Sequence, residues 1–275
     1  MLLELRADPA ISGDDLRKAG DLSAHEFLAR ELGRLRPGDA ILSEEGKDDQ
    51  ARLTASRVWI VDPLDGTREF GEPTRSDWAV HVALWARGDL VAGAVALPAQ
   101  GQTLSTAEYA GRPASAAPFP VPDSGSQVPL QAGLRILVSR SRPPAFMHQL
   151  AADIGAELVP MGSAGAKAAA VVQGQYDAYI HAGGQYEWDS AAPVAVARAA
   201  GLHASRIDGA ALAYNQADVS IPDILISPAW LAPGLLSAIA RACAPGQPAA
   251  AQRPAVRPPA PGTHRPTSSD PELQP

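Results

Sequence analysis

The sequence predicts an α/β protein, because segments with helical and with strand periodicity alternate along most of the chain. Apolar side chains occupy every second position of residues 78–85, which is typical of a strand. Leu28, Leu32 and Leu35 recur at helical spacing. Hydrophobic residues make up 46% of the 275 residues, which is enough for a sizeable core.

Turn and cap signals delimit the individual elements. Ser23 and Glu26 match the capping box S-x-x-E, so we expect a helix that begins at Ser23 and ends at Pro37-Gly38. This prediction places Asp21 on the loop before the helix. The other predicted elements are strands 40–42, 57–61, 78–85, 91–97 and 135–139, helix 143–152, a helix entered at 161–167, strand 176–181, a helix from Asp189 to Gly201, strand 224–227 and helix 229–242.

Two segments lack the periodicity of folded elements. Residues 111–133 are rich in Pro, Ala and Ser and predict a long loop or linker. Residues 245–275 are rich in Pro, Ala and Gln and cannot bury enough apolar surface to offset their ordering entropy, so we expect a disordered tail. The predicted organisation is therefore an N-terminal α+β half at 1–110, the linker, a C-terminal α/β half at 134–244 and the tail.

Composition restricts the classes of partner and location. The net charge is −7 and no basic run is present, which argues against nucleic acid as a partner. Cys243 is the only cysteine, so no intrachain disulfide can form. No apolar run is long enough to span a bilayer and the N-terminus lacks a signal-peptide pattern, so we expect a cytoplasmic protein that does not bind membranes.

The most informative segment is 59–70, which reads WIVDPLDGTREF. An apolar strand leads into a loop that holds Asp62 and Asp65, and Gly66 and Thr67 follow at once. Such a loop can aim two carboxylates and a backbone carbonyl at one hard cation, and Gly66 lets backbone amides face an anion. A metal and a phosphate that meet at one point are what metal-assisted hydrolysis of a phosphate ester requires.

Further acidic residues stand at the ends of other predicted elements. Glu44 and Glu45 follow the strand at 40–42, and Asp189 stands at a helix start. Carboxylates on three such loops can converge on two or three Mg²⁺ ions, which prefer oxygen ligands. The glycine-flanked helix start at 161–167 could hold an anion.

Together these motifs resemble the inositol monophosphatase family. The strings DPLDGTREF at 62–70 and GSAGAK at 162–167 are similar to segments of its CysQ-type 3'(2'),5'-bisphosphate nucleotidases. The resemblance covers roughly residues 12–243. It implies a layered αβαβα sandwich of the inositol monophosphatase/fructose-1,6-bisphosphatase type, with an active site between the α+β and α/β halves. It also implies a magnesium-dependent, lithium-sensitive phosphatase that uses a metal-activated water.

The resemblance assigns a set of metal ligands, which comprises four carboxylates and one carbonyl: Glu44, Asp62, the Leu64 carbonyl, Asp65 and Asp189. Glu44, Asp62 and Leu64 would hold the first Mg²⁺ ion, and the three aspartates would hold the second. A third, looser ion would lie near Glu44, and Glu45 would reach it through water.

The resemblance also implies roles in substrate binding and catalysis. The Gly66 and Thr67 amides would bind the scissile phosphate, and Asp21 with the Thr67 hydroxyl would orient the attacking water. Ser163 and Lys167 would belong to the substrate site, with Lys167 at the second phosphate of a nucleotide.

Other interpretations of individual residues stay open at this point. An isolated D-x-x-D near a glycine is usually a turn with solvated carboxylates. Asp21 could serve only the helix dipole, and Lys167 could be an ordinary exposed lysine. His81 and His181 lie in strand patterns, where satisfied polar side chains are more common than ligands.

The expected reaction is hydrolysis of 3'-phosphoadenosine 5'-phosphate to AMP and phosphate, as part of sulfur assimilation, with the sulfated form as a further candidate substrate. The alternatives are inositol-1-phosphate or fructose-1,6-bisphosphate as substrate, or a magnesium-binding module without activity. Haloacid dehalogenases also contain Asp-Gly-Thr, but they need D-x-D-G-T, whereas Asp62 and Asp65 are three positions apart. A homodimer is compatible with the resemblance.

One departure from the family concerns the N-terminus. The family opens with a long helix before the segment of Asp21, and here only residues 1–6 correspond to it. We therefore expect the natural start to lie upstream of Met1 and some apolar surface to be left uncovered.

Overall fold

The computed structural model describes residues 1–111, 130 and 132–244. The predicted linker lies largely outside these residues, and the predicted tail at 245–275 lies wholly outside them. Within the described residues, no helix combines the length and apolarity needed to cross a membrane.

The helices and strands alternate along the chain as the sequence predicts. The helices are α1 (Leu2–Ala7), α2 (Gly13–Leu35), α3 (Thr67–Phe70), α4 (Thr106–Tyr109), α5 (Phe146–Ile154), α6 (Ala164–Val172), α7 (Glu187–Ala199) and α8 (Ala232–Ala242). The strands are β1 (Ala40–Ser43), β2 (Arg57–Asp65), β3 (Ala79–Ala86), β4 (Asp89–Leu97), β5 (Gln102–Ser105), β6 (Arg135–Ser139), β7 (Glu157–Met161), β8 (Ala178–Tyr186), β9 (Leu202–Ser205) and β10 (Ser220–Pro228).

The strands form two five-stranded mixed sheets. The first has the order β1-β2-β3-β4-β5, in which β1 and β2 are parallel and the other pairs antiparallel. The second has the order β7-β6-β8-β10-β9, with β6 parallel to both β7 and β8. Residues 40–105 thus supply one sheet and residues 135–228 supply the other.

The buried side chains divide into three clusters, which define five layers. The largest cluster joins inward-facing residues of both sheets to α6 and α7, so these two helices lie between the sheets. A second cluster packs α5 and α8 on the outer face of the second sheet. The third packs α1 and α2 on the outer face of the first. The predicted αβαβα sandwich is therefore confirmed.

The central helices are rich in small residues, which lets them approach the sheets closely. All nine residues of α6 are buried, and six of the nine are Ala or Gly. At Gly93 in β4, an added Cβ would lie 2.7 Å from the Ala195 Cβ of α7. Any larger residue there would push α7 away from the first sheet.

The predicted capping box at Ser23 is wrong. Helix α2 begins at Gly13, so Ser23 and Glu26 lie inside it, and Asp21 stands on the helix and not on a loop. The buried stripe of α2 is one residue wide, Leu16, Gly20 and Ala24, and two of these three are too small to produce a visible apolar period. The remnant helix expected at residues 1–6 is α1, whose Leu2 is buried beside α2.

The prediction also missed three strands, β5, β7 and β9. These strands have four or five residues each and lie near or at the sheet edges, where few side chains are buried. Short edge strands carry little periodicity, because one face or one end of each remains in water. Other predicted boundaries differ from the observed ones by a few residues, and the strands β2 and β8 extend further than predicted, to Asp65 and Tyr186.

Candidate active site

Strand β2 carries Asp62 and Asp65 into the interior, where they are only 1% and 8% exposed. The register with β3 shifts between these two residues, and Pro63 between them has no N–H to donate to the ladder. The resulting irregularity aims both carboxylates toward the helix layer. Their oxygens and one of Asp189 lie within 4.8 Å of one another.

Asp65 also connects the first sheet to α6. Its Oδ2 accepts the Ser163 hydroxyl at 2.5 Å and the Gly165 amide at 2.7 Å, and His81 Nε2 lies 3.2 Å away. An added Cβ at Gly165 would lie 2.0 Å from that His81 nitrogen, so only glycine fits there. These contacts occupy Oδ2 and leave Oδ1 as the carboxylate oxygen for a cation.

Asp189 lies at the start of α7, as the sequence predicts. The helix begins two residues earlier, at Glu187, and Asp189 Oδ2 accepts the Tyr186 amide at 2.6 Å. The N-cap is Tyr186, so the helix starts two residues before the predicted start, and Asp189 is its third residue. The other carboxylate oxygen remains available to the aspartate cluster.

Glu187, two residues before Asp189, is fully buried and fixes the start of α7. Its carboxylate accepts the amides of Asn215 and Gln216, each at 2.7 Å. Arg52, which is 1% exposed, donates to the Asn215 side-chain oxygen at 2.8 Å and the Gln216 carbonyl at 2.9 Å. Arg52 Nε also donates to Asp48 at 2.7 Å, on the loop that carries Glu44 and Glu45.

Asp21 reaches the site from α2 because Gly20 lets that helix approach the end of β2 and helix α3. An added Cβ at Gly20 would lie 2.7 Å from Phe70 and 2.8 Å from Leu64. The Thr67 hydroxyl lies 3.3 Å from Asp21 Oδ1 and 3.0 Å from the Leu64 carbonyl. The structure thus brings together the Leu64 carbonyl, Asp21 and Thr67, which the sequence predicts as groups that contact the metal, the water and the phosphate.

Gly66 provides the turn between strand β2 and helix α3. Its φ is +85°, in the left-handed region, and an added Cβ would lie 3.1 Å from Ser163. The Gly66 and Thr67 amides stand at the start of α3, where no intrahelical acceptor exists for them.

The carboxylates repel one another, and Asp62 and Asp65 are also buried away from solvent, which is the situation that a bound cation relieves. Burial, followed by the charge of Asp65, raises the pKa of Asp62 well above its ordinary value. Burial and the charge of Asp189 raise the pKa of Glu44 to about 7, and burial and Asp65 raise the pKa of Asp189 to about 6. A cluster with only oxygen donors fits a hard divalent cation such as Mg²⁺.

These raised pKa values predict that the metal-free protein loses stability as the pH rises. Burial and the charge of Glu45 raise the pKa of Asp21 to about 6 as well. A carboxyl whose pKa is higher in the folded state stabilises it fully below the unfolded value, near 4, and this contribution is lost as the pH rises through the folded value. We expect the melting temperature with a chelator to fall between about pH 5 and about pH 8, and Mg²⁺ to raise it most at the upper end. Differential scanning fluorimetry tests this, and a pH-independent effect of Mg²⁺ would contradict it.

Lys167 and Ser163 hold the start of α6. The Lys167 ammonium is 4% exposed and donates to the carbonyls of Met161, Gly162 and Ser163 at 3.3, 3.0 and 2.7 Å. Burial lowers its pKa to about 8, opposed by the charge of Asp65. The interpretation as an exposed lysine is wrong, and contact with a second phosphate stays a prediction.

Several residues of the site escaped the sequence analysis. His81 was grouped with ordinary strand histidines, and its Nδ1 contacts the Trp188 carbonyl at 3.1 Å. Arg140, after β6, forms ion pairs with Glu69 at 2.6 Å and Glu72 at 2.8 Å. The only sequence signal for the ion pairs of Arg140 was Glu69 in the DPLDGTREF string, because Arg140 is far from both glutamates in the chain.

Comparison with known proteins places the chain in a family. The model of the inositol monophosphatase family matches residues 7–242. A Mycobacterium bovis protein named 3'-phosphoadenosine 5'-phosphate phosphatase is 50% identical over 248 residues, which cover 88% of this chain and 89% of the relative. The Escherichia coli protein named 3'(2'),5'-bisphosphate nucleotidase CysQ is 31% identical over 72% of this chain and 78% of its own length.

Solved structures agree with this assignment. CysQ from Bacteroides thetaiotaomicron has a TM-score of 0.63 and 26% identity and covers 83% of this chain and 92% of that one. Inositol monophosphatase II from Staphylococcus aureus has a TM-score of 0.66 at 21% identity, over 86% and 88% of the two chains, and supports the fold alone. The prediction of an enzyme of the phosphoric monoester hydrolase class is confirmed. With the family model matching almost the whole described region and a 50% identical relative, the chain belongs to the inositol monophosphatase family.

Proposed function

We propose that this chain hydrolyses the 3'-phosphate of 3'-phosphoadenosine 5'-phosphate, releasing adenosine 5'-phosphate and inorganic phosphate. The observation that carries the proposal is the 50% identity to the Mycobacterium bovis relative of that name, along nearly the full length of both chains. The sulfated form of the same nucleotide is a second substrate of the proposed site.

We propose two or three Mg²⁺ ions as the cofactor. Four carboxylates and one carbonyl would hold the first two ions: Glu44, Asp62, the Leu64 carbonyl, Asp65 and Asp189. Glu45 would act on a third ion through water. When bound, Mg²⁺ neutralises phosphate charge and lowers the pKa of coordinated water. The oxygen-only donor set and the mutual repulsion of these carboxylates support the proposal.

The protein groups around the cluster have separate tasks in this proposal. Asp21 and the Thr67 hydroxyl, 3.3 Å apart, orient the attacking water, and the Asp21 carboxylate accepts its proton. A pKa of about 6 for Asp21 suits this task, because burial keeps its carboxylate basic near neutral pH. The Gly66 and Thr67 amides bind the scissile phosphate through N–H groups that the helix leaves free. No covalent bond to the protein is needed.

A substrate panel tests the proposal directly. With Mg²⁺ present, we expect kcat/KM for 3'-phosphoadenosine 5'-phosphate to exceed that for inositol-1-phosphate and fructose-1,6-bisphosphate by at least about tenfold. Phosphate release without Mg²⁺ should fall to background and return when the ion is restored. A preference for inositol-1-phosphate would replace the proposed substrate, and no release from any substrate would favour a module without activity.

A further inference from the structure

The turn between β2 and β3 carries the amides that are proposed to bind phosphate, and it has little stability of its own. Helix α3 in this turn has four residues, and its Phe70 and Gly71 amides bond carbonyls one turn earlier, at 2.9 and 3.1 Å. A single helical turn is not stable in isolation, because it fixes several backbone dihedrals for each hydrogen bond. Contacts from outside the turn must therefore fix its orientation.

Arg6 of α1 supplies such contacts through one guanidinium nitrogen. Its Nη2 donates to the Arg75 carbonyl at 2.6 Å and the Glu69 carbonyl at 3.4 Å, and the Glu72 carbonyl accepts a third hydrogen bond. The Glu72 and Arg75 amides bond the carbonyls three residues before them, at 3.1 and 3.0 Å. The three carbonyls therefore belong to consecutive turns of the backbone, and they converge on a single charged donor.

The same guanidinium lies against two aromatic rings at the ends of this segment. Its Cζ is 5.9 Å from the centroid of the Phe70 ring and 5.6 Å from that of the Trp78 ring, which is within the range of a cation–π contact. The two rings are fully buried and pack edge to face, with centroids 5.0 Å apart. Phe70 ends α3 and Trp78 immediately precedes β3, so Arg6 holds both ends of residues 70–78.

The end of this segment returns to the proposed phosphate-binding amides. An added Cβ at Gly66 would lie 3.2 Å from the Asp77 carbonyl oxygen and 3.3 Å from Trp78 Cα. The end of the segment thus packs on the backbone of Gly66. A displacement of residues 69–78 therefore moves the backbone at Gly66, where the first of these amides lies.

A different arginine holds the acidic side chains of the segment. Arg140 forms ion pairs with Glu69 and Glu72, whereas Arg6 bonds the carbonyls of the same two residues. Loss of the Arg6 guanidinium would release the backbone and leave these ion pairs in place. The effect of Arg6 can therefore be measured separately from that of Arg140.

We propose that Arg6 is a positioning residue for the reaction, which holds the backbone of residues 69–78 so that the Gly66 and Thr67 amides face the scissile phosphate. A charged donor that three carbonyls share has a fixed position, because charge-assisted hydrogen bonds are stronger than neutral ones. The inference rests on the proposed function, and it assigns a role to α1, a helix that supplies none of the proposed metal ligands or substrate contacts.

The variant Arg6→Met tests this role, because it keeps an apolar stem beside the rings and removes the donors. We expect the dissociation constant of inorganic phosphate, titrated calorimetrically with Mg²⁺ present, to rise about tenfold. KM for 3'-phosphoadenosine 5'-phosphate should rise by a similar factor while kcat falls less than about threefold, since the amides bind the phosphate in the ground state as well as in the transition state. The Mg²⁺ concentration for half-maximal activity should not change, because Asp62 and Asp65 are held by the ladder between β2 and β3.

Companion variants separate positioning from stability. Arg6→Lys should bind phosphate within about threefold of the wild type, because one ammonium can serve three carbonyls, as Lys167 does at the start of α6. Arg206→Met removes an arginine that bonds Asp223 on the second sheet, so it should lower the melting temperature without changing phosphate affinity. If Arg6→Met does not fold, Arg6→Gln replaces it, with an expected loss of phosphate affinity of about threefold.

Wild-type phosphate affinity in Arg6→Met, or in Arg6→Gln where that variant replaces it, would overturn the inference. An equal loss in Arg206→Met, or Arg6→Lys as weak as Arg6→Met, would also overturn it. The proposed function fails separately, if the wild-type protein does not hydrolyse the bisphosphate. In that case phosphate binding that depends on Arg6 would still support the positioning role, and a wild-type protein that binds no phosphate with Mg²⁺ would overturn it.

Discussion

Replacement of Asp62 by asparagine is expected to abolish turnover while the fold persists. Asp62 is 1% exposed and lies within 4.8 Å of both Asp65 and Asp189 through its carboxylate. The metal stabilises the transition-state charge by several kcal/mol, so we expect kcat to fall by about a thousandfold or more. The neutral amide also removes a repulsive buried charge, so the metal-free variant should melt at a higher temperature than the wild type near neutral pH.

Calorimetric titration with Mg²⁺ measures the other half of this prediction, since the variant should lose binding along with activity. Asp39→Asn is a suitable control. Asp39 accepts hydrogen bonds from the side chains of Arg57 and Trp59, and it precedes β1, whereas Glu44 follows the other end of that strand. This control should keep both Mg²⁺ binding and turnover. Wild-type Mg²⁺ affinity in Asp62→Asn would contradict the assignment of Asp62 as a ligand.

Replacement of Arg52 by methionine is expected to give the largest loss of stability together with weaker metal binding. The change keeps the apolar stem but removes the hydrogen bonds to Asp48, Asn215 and Gln216. Groups that are left without a partner in the interior cost about 3 kcal/mol in the free energy of unfolding, or about 6–12 °C in melting temperature for a protein of this size.

The effect on metal binding follows from where the network ends. Arg52 connects the loop of Glu44 to Asn215 and Gln216, which in turn hold Glu187 at the start of the helix that carries Asp189. Loss of an outer partner of metal ligands typically costs about tenfold to a hundredfold in metal affinity, so the Mg²⁺ concentration for half-maximal activity should rise by about that factor.

Thermal melts and Mg²⁺ titration of the same samples separate stability from positioning. Arg206→Met is the matched control, because Arg206 pairs with Asp223 through two hydrogen bonds on the second sheet. It should lower the melting temperature and leave the Mg²⁺ requirement unchanged. If the Mg²⁺ requirement rose equally in both variants, the weaker metal binding of Arg52→Met would result from the general loss of stability, which would contradict a positioning role for Arg52.

The grouping of the candidate site's main residues was predictable from sequence because those residues are local in the chain. Asp62, Asp65, Gly66 and Thr67 are neighbours in the chain, and a strand that runs into a glycine turn places them together without help from distant residues. The alternation of helix and strand and the DPLDGTREF string were sufficient for the layered fold and the family. The separation of Asp62 and Asp65 by three positions also correctly excluded the dehalogenase pattern.

The positions of Asp21, Lys167 and Arg52 were decided by tertiary contacts. Asp21 stands on the first half of α2, whose close approach depends on Gly20 meeting Phe70, and no apolar period reveals that half of the helix. Lys167 is charged, and a charged residue is normally read as exposed, yet three backbone carbonyls fix it in the interior. Arg52 bonds partners more than 160 positions away. The sequence by itself determined the grouping of Asp62, Asp65, Gly66 and Thr67 at the end of β2, because these residues are neighbours in the chain. Only the tertiary structure decided which side chains surround these residues, because burial and hydrogen bonding depend on residues that meet only in the folded chain.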